Sequence, residues 1–221
     1  VIKLNNFNKC VIDENNIYVE SGYMLNKLAQ ELSNKGYTGI EWATGIPGTI
    51  GGSICGNAGA YKSSMSDIIK DVTILDNDKV IKLSNQELEF NYRTSILKNK
   101  KDFIVLSCNI NLEKGNIDEI KKTIEERTLK RIETQPLDYP SCGSVFRNPE
   151  GMSSGKLIDD LGLKGYQIGG AKISEKHANF IINYNNATSE DIKKLIDFVR
   201  SKVKEKYNIE LKSEQELINW E

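Results

Sequence analysis

Four short stretches of this 221-residue chain combine residue types that can do chemistry. The first runs Gly45-Ile46-Pro47-Gly48-Thr49-Ile50-Gly51-Gly52-Ser53-Ile54-Cys55-Gly56-Asn57-Ala58-Gly59 and holds six of the chain's 17 glycines in 15 residues. Backbone this bare can come close to a flat or anionic ligand and adopt positive φ. The stretch is neither GxGxxG nor a Walker A loop, which needs GKS or GKT. A set of tight turns at a close helix–strand contact is an equally open reading.

The second stretch is Phe90-Asn91-Tyr92-Arg93-Thr94-Ser95. An arginine beside aromatics can form a bidentate pair with a carboxylate, although most arginines lie on solvated surfaces. The third is Gln135-Pro136-Leu137-Asp138-Tyr139-Pro140-Ser141-Cys142-Gly143-Ser144-Val145-Phe146-Arg147-Asn148-Pro149. A serine between small and apolar residues could donate a proton. Serine is a very weak acid, so it needs a partner or a strongly basic acceptor. By residue type alone a turn serine with an ordinary backbone bond is the favoured reading. The fourth is Glu214, in Leu211-Lys212-Ser213-Glu214-Gln215-Glu216-Leu217-Ile218, where a solvated carboxylate is the usual case. His177 is the chain's single histidine, so any Ser-His-Asp triad would rest on it alone.

The elements that must position these residues follow from periodicity and punctuation. Ile17-Tyr18-Val19 reads as a strand. Leu25, Leu28 and Leu32 predict a helix over 24–35, with Gly36 at its C-cap. A hairpin is expected over 72–83, turning at Asp76-Asn77-Asp78, and another strand over 103–106, continuing toward Leu112. A charged helix starts after Asn116, its cap, with Ile117, Ile120 and Ile124 on one face. A strand is expected over 178–183. Thr188 or Ser189 then caps a helix with Ile192, Leu195, Ile196, Val199 and Val203 inward, and 209–218 is extended. Short strands mixed with helices indicate an α+β protein of two layers per domain, and the composition shift near residue 114 marks a boundary.

Bulk properties exclude several classes. Hydrophobic residues make up 38% and charged residues 28%, as in a globular protein with a real core. Thirty basic residues face 31 acidic ones, for a net charge of −1, which gives no pull toward nucleic acid or an anionic membrane. No apolar run reaches the ~18 residues of a membrane span. Cys10, Cys55, Cys108 and Cys142 are widely spaced without a CxxC pair, which argues against a metal site or a disulfide framework and fits reduced thiols in a cytoplasm. Val1-Ile2-Lys3-Leu4 reads as the interior of a longer protein.

Taken together and in order, the pieces GIPGTIGGSICGNAGAY, FNYRTSILK, QPLDYPSCGSVFRNP, GKLIDDLGLKGYQIGGAKISEKHANFIIN and KVKEKYNIELKSEQELI resemble one family, the UDP-N-acetylenolpyruvoylglucosamine reductases of peptidoglycan synthesis. They span residues 39 to 218. The PSCGSVF form resembles the shorter subtype, which lacks an extra substrate-covering loop.

The resemblance implies an α+β fold: the C-terminal part of a vanillyl-alcohol-oxidase (PCMH-type) FAD domain over 1–113, then a small α+β substrate domain over 114–221. It implies a cytoplasmic oxidoreductase of cell-wall synthesis, serving cell shape and division, with FAD and NADPH as cofactors and a UDP-sugar as substrate. NADPH reduces the flavin, a hydride passes from flavin N5 to the enolpyruvyl group, and a proton follows, giving UDP-N-acetylmuramate. Gly45, Ile46, Pro47, Gly48, Thr49, Gly52, Asn57 and Gly59 would line the cofactor. Arg93 matches the arginine that holds the substrate carboxylate, Glu214 the glutamate that shares its developing charge, and Ser144 the proton donor. Tyr61, Asn148 and His177 fall at substrate-contacting positions. Hydride addition creates a carbanion-like carbon basic enough to take a serine proton, which answers the objection to Ser144.

Two departures stand out. The family carries a GxGSNLL-like segment for the FAD pyrophosphate, and this sequence begins just after where that segment should end. Two residues past Glu214 the family has an arginine, where this chain has Glu216. The first departure leaves open a non-catalytic nucleotide-sugar binding module that has lost FAD. A different flavin oxidoreductase on the same fold is a third reading, against which Arg93, Ser144 and Glu214 count.

Overall fold

The computed structural model describes residues 2–100 and 102–220. The outermost residues of the two expected parts, 1 and 221, lie outside the described residues. The chain forms two compact units, one running to Thr128 and one starting at Leu129.

The first unit is built on a five-stranded sheet in the order Cys10–Asp13, Asn16–Glu20, Phe103–Asn111, Ile69–Asp76, Lys79–Ser84, every neighbour antiparallel. Alternation sets its inner face: Ile17 and Val19 are buried from one strand, Val72 and Ile74 from another. The expected hairpin closes with Asp76 opposite Lys79, so the turn is the two-residue Asn77-Asp78, and Asn77 takes the positive φ such turns require. Helix Leu25–Asn34 buries Leu25, Leu28 and Leu32 completely, as their spacing predicts. Lys35 is its C-cap, and Gly36, one position later than expected, adopts the left-handed conformation.

The glycine-rich stretch contains an element its composition hides, the six-residue helix Ile50–Cys55. Glycine is a poor helix former, so propensity argues against it. Packing overrides propensity here. Ile50 and Ile54 are fully buried, and a Cβ on Gly51 would meet the Ser21 Cβ at 3.0 Å. The amides of Ile50 and Gly51 donate to the carbonyls of Tyr23 and Ser21. Gly51 therefore serves a close helix–strand contact, one of the two readings its sequence left open.

The second unit has a four-stranded antiparallel sheet in the order Ser141–Ser144, Phe180–Asn183, Ala171–Ile173, Gln167–Ile168. Helix Ser189–Tyr207 packs on it through Leu195, Ile196, Val199 and Val203, all buried, while Ile192 is half-buried against the same core. Thr188 and Asp191 form a reciprocal capping box at its start. Asp191 also accepts from the Gly170 amide, which ties the helix N-terminus to the sheet; the Thr188 amide first and the Gly170 amide second hold the Asp191 carboxyl below its ordinary range. A sheet with packed helices in each unit is the expected α+β arrangement.

Helix Ile117–Thr134 runs through the division at Thr128, whereas the expected boundary lay at 113/114. Asn116 caps it by accepting from the amides of Asp118 and Glu119. Its expected apolar face is corrected: Ile120 is buried, but Ile117 is 38% exposed and Ile124 half-buried. The strand expected over 178–183 starts at Phe180, because Ala178 and Asn179 form a turn. Among the described residues the extended tail makes one β-bridge to the rest of the unit, Phe146 to Ser213, and buries Leu211 in the second core. Strand Ser141–Ser144 and helix Ser154–Asp160 went unread, the first within a proline-punctuated loop and the second only seven residues long. Among the described residues no helix is long and apolar enough to cross a membrane.

Candidate active site

In the first unit the glycine-rich loop edges an open cleft of about 620 Å³ whose wall includes Ser21, Gly22, Thr49, Gly51, Gly52 and Cys55. Gly48 has φ +122°, and a Cβ built there meets nothing within 4 Å; at Gly52 it meets only the Thr49 hydroxyl at 3.7 Å. Among the described residues, none accepts a hydrogen bond from the backbone amides of Gly48 and Thr49. The Ser21 hydroxyl is likewise buried without a partner in the cleft wall. Unpaired donors beside space that no side chain fills fit a polar, flat ligand of the flavin nucleotide kind. Of the expected cofactor residues, Thr49 and Gly52 line the cleft, while Gly45, Ile46, Pro47 and Gly48 precede them along the same loop and are not among its lining residues. Asn57 and Gly59 lie farther along. Gly59 is bare because its own chain crowds it, Ser63 O lying 2.4 Å from where a Cβ would be.

Asn57 is buried and bridges two loops. Its side chain donates to the Asn91 carbonyl at 3.1 Å and accepts from the Ser66 amide at 3.0 Å. Next to it Gly59–Ala60 pairs with Ser63–Ser64, so Tyr61 and Lys62 form a two-residue turn with φ of 54° and 65°. Positive φ is ordinary for glycine but strained for tyrosine and lysine. Surrounding contacts hold the strain. The Arg93 Nη2 donates to the Gly59 carbonyl at 2.9 Å, the Tyr61 hydroxyl to the Arg127 carbonyl at 3.3 Å, and the Arg127 guanidinium lies 4.7 Å from the Tyr61 ring centroid. Arg93 itself has φ 58°. Arg93 and Tyr61 are thus brought to one rigid turn.

In the second unit Ser144 ends strand Ser141–Ser144, opposite Phe180, after a register shift. The tail docks beside it. The Arg147 amide donates to Lys212 O at 2.9 Å, the Glu214 amide to Val145 O at 2.8 Å, and the Gln215 Nε2 to Ser144 O at 3.1 Å. Ser144 and Glu214 therefore occupy facing stretches of backbone. Asn148 accepts from the Ser154 amide at 3.0 Å. The following residue, Gly155, faces the His177 ring: a Cβ there would lie 3.5 Å from Cε1.

The His177 backbone amide donates to the Ser174 hydroxyl at 3.3 Å, and its Nδ1 accepts from the Asn179 amide at 3.2 Å. An accepting Nδ1 means a neutral ring with its proton on Nε2. Burial pushes the His177 pKa below its ordinary value, and the Lys164 charge adds to the shift.

Each unit thus gathers its own set. Arg93, Tyr61, Asn57, Gly59 and the glycine loop lie in the first; Ser144, Asn148, His177 and Glu214 lie in the second. Ser21, Arg127, Asn179 and Gln215 were not singled out from sequence. Asn179 alone carried a signal, as an asparagine two residues from His177 in a run otherwise apolar.

A glycine-rich loop edging a cleft, followed by a separate α+β unit with Ser144 and Glu214 on facing stretches of backbone, fits a two-part flavoprotein. The comparisons agree. The FAD binding domain family model matches residues 1–84, and that of the UDP-N-acetylenolpyruvoylglucosamine reductase C-terminal domain matches residues 135–218. UDP-N-acetylenolpyruvoylglucosamine reductase of Caldanaerobacter subterraneus subsp. tengcongensis is 49% identical over 219 residues, covering 99% of this chain and 72% of that protein. The Anoxybacillus flavithermus enzyme of that name is 47% identical over 208 residues, 94% of this chain and 69% of its own. The crystal structure of UDP-N-acetylenolpyruvylglucosamine reductase from Thermus caldophilus superposes with a TM-score of 0.80 at 34% identity, covering 90% of this chain and 71% of that one. The chain belongs to the UDP-N-acetylenolpyruvoylglucosamine reductase family.

Proposed function

We propose that this chain reduces the enolpyruvyl group of UDP-N-acetylglucosamine enolpyruvate to UDP-N-acetylmuramate in peptidoglycan synthesis, in the cytoplasm, with NADPH as reductant. The observation that carries this reading is the docking of the tail on the Ser144 strand, Glu214 N–H to Val145 O at 2.8 Å, which gives an acid and a carboxylate a common backbone frame.

When bound, FAD supplies the hydride. The chain's own residues do the rest. The loop Gly45, Ile46, Pro47, Gly48, Thr49 and Gly52 offers its backbone to the cofactor, with Asn57 and Gly59 farther along the chain. The part up to residue 113 is the FAD-binding one and also lends Arg93 and Tyr61 to the substrate, and the part from 114 binds the sugar nucleotide. The Arg93 guanidinium holds the substrate carboxylate in a planar fork, and its anchoring on Gly59 O keeps the fork oriented. Hydride addition makes that carboxylate part of an enolate-like dianion, whose growing charge Arg93 stabilises, with Glu214 sharing that work. Ser144 then gives its hydroxyl proton to the neighbouring carbon. Tyr61, Asn148 and His177 contact the substrate, His177 as a neutral Nε2–H donor.

The FAD-domain match over residues 1–84 favours this reading over a binding module without flavin. The test is direct. Protein loaded with FAD should bleach with NADPH and regain its yellow colour when the enolpyruvyl sugar nucleotide is added. Bleaching without recovery on that substrate would remove the proposal.

A further inference from the structure

Ser144 stands where the second sheet stops being regular. The ladder between Ser141–Ser144 and Phe180–Asn183 shifts register between Ser141 and Ser144, and Gly143 adopts φ 77° with open space around it. The shift lies before the Ser144–Phe180 pair, which is the last of this ladder, and proton transfer needs the donor within about 2.6–3.2 Å of its acceptor. Other groups must hold the backbone beyond that last pair.

Two carboxamides do so. Asn179 is 4% exposed and uses every polar group it has. Its side-chain oxygen accepts from Phe146 N at 2.9 Å, and its Nδ2 donates to Phe146 O at 2.8 Å. Its main-chain carbonyl accepts from Val145 N at 2.8 Å, and its main-chain amide donates to His177 Nδ1 at 3.2 Å. A side-chain amide carries the same donor and acceptor as a peptide group. Asn179 thus adds a rung at Phe146, beyond the last pair of the ladder. From the tail, Gln215 Nε2 donates to the carbonyl of Ser144 itself at 3.1 Å, and its Oε1 accepts from the Ser213 hydroxyl at 3.1 Å.

We propose that Asn179 and Gln215 are positioning residues for Ser144, Asn179 fixing the backbone that follows it past the end of the ladder and Gln215 holding its carbonyl. Asn179 also fixes the ring orientation of His177, so that one buried side chain and its own backbone register the proton donor against a substrate contact. This rests on the reading of Ser144 as the proton donor. Neither carboxamide touches the reacting atoms; each acts through the placement of Ser144, where an error of about 1 Å costs on the order of 10²-fold in rate.

The test uses the FAD-loaded protein and follows flavin absorbance in the two half-reactions separately. Asn179→Asp keeps the shape and the acceptor but turns the donor toward Phe146 O into a second acceptor. It should slow substrate-driven reoxidation by about 10²-fold and leave reduction by NADPH unchanged. Gln215→Ala, on the partly exposed tail, should fold whatever Asn179→Asp does, and should slow the same half-reaction by about fivefold, as expected for one neutral hydrogen bond. A residue that only stabilised the fold would move both half-reactions alike. Equal slowing of both, or no slowing of either, in the folded variants overturns the inference. Ser144→Ala measured alongside separates the levels. If it slows reoxidation while the carboxamide variants do not, only this inference fails; if it slows nothing, the role of Ser144 fails and takes the inference with it.

Discussion

Glu214 donates its backbone amide to the carbonyl of Val145 at 2.8 Å, which places the carboxylate-bearing residue of the tail across from the residue that follows Ser144. The anchor of this arrangement is Leu211, 1% exposed in the second core. Leu211→Ala should cost about 2–5 kcal/mol of the second unit's stability, as for other buried leucines. It should also slow substrate turnover more than NADPH-driven bleaching. Chemical denaturation together with the two half-reactions checks this; a stability loss with turnover intact would show that tail docking does not matter to the site.

Ser144→Ala should slow substrate-driven reoxidation by about 10²–10⁴-fold, the range for a general acid. Reduction by NADPH does not use this proton and should be untouched. Ser144→Cys should keep part of the activity, since a thiol can also donate. Stopped-flow absorbance resolves the two steps, and equal rates for the variant and the parent in both would exclude Ser144 from the reaction.

Arg93→Lys should not behave as a conservative change. Lysine offers a point charge in place of a planar fork and cannot keep the bond to Gly59 O while pairing bidentately with a carboxylate. Substrate affinity should fall by about tenfold or more, in line with the loss of a charge-assisted hydrogen bond. Titration with the enolpyruvyl sugar nucleotide measures it, and unchanged affinity would place the carboxylate elsewhere.

His177 gives a pH dependence with a definite sign. Its folded pKa lies below the ordinary 6.5 because burial and Lys164 disfavour the cation. The unfolded chain therefore binds the extra proton first as pH falls. The stability tied to neutral His177 is complete above about pH 6.5 and is lost progressively below it. The thermal midpoint should drop on acidification through this window, and less so in His177→Gln. As the chain's single histidine, its ring signals can be titrated directly by NMR, and a folded pKa at or above 6.5 would contradict the neutral, Nδ1-accepting ring.

Sequence made the long periodic elements plain, since Leu25, Leu28 and Leu32, or Leu195, Val199 and Val203, mark a helical face without ambiguity. It also marked the glycine loop and the serine loop as unusual. What it hid were elements decided by tertiary packing. Helix Ile50–Cys55 forms against glycine's propensity because Gly51 must approach Ser21. Strand Ser141–Ser144 depends on pairing with residues near 180. The strained Tyr61-Lys62 turn carries no glycine to announce it, and the supports given by Arg127, Asn179 and Gln215 act across 33 to 71 positions of sequence. Ile117 departs from the expected buried face because helical spacing gives the shared face but not where packing ends.

The glycine loop offers the sharpest separation of ligand from fold. Gly48, at φ +122°, is a poor probe, because any side chain there strains the backbone. Gly51 and Gly52 are adjacent in one helix and differ in what lies opposite them. A methyl group on Gly51 meets Ser21 at 3.0 Å, so Gly51→Ala overpacks a buried contact and should cost about 1–3 kcal/mol. A methyl group on Gly52 is in ordinary contact with the Thr49 hydroxyl at 3.7 Å, on the cleft side. Gly52→Ala should therefore leave the fold intact and, by removing glycine's excess freedom from a helix, stabilise it by about 0.5–1 kcal/mol. If the cofactor lies against this loop, the same methyl group takes up its space, and FAD affinity should fall while the thermal midpoint of the cofactor-free protein rises. Flavin fluorescence titration and thermal denaturation of the two variants, run in parallel, give the answer. A Gly52→Ala protein that is more stable and binds FAD as tightly as its parent would move the cofactor away from the cleft.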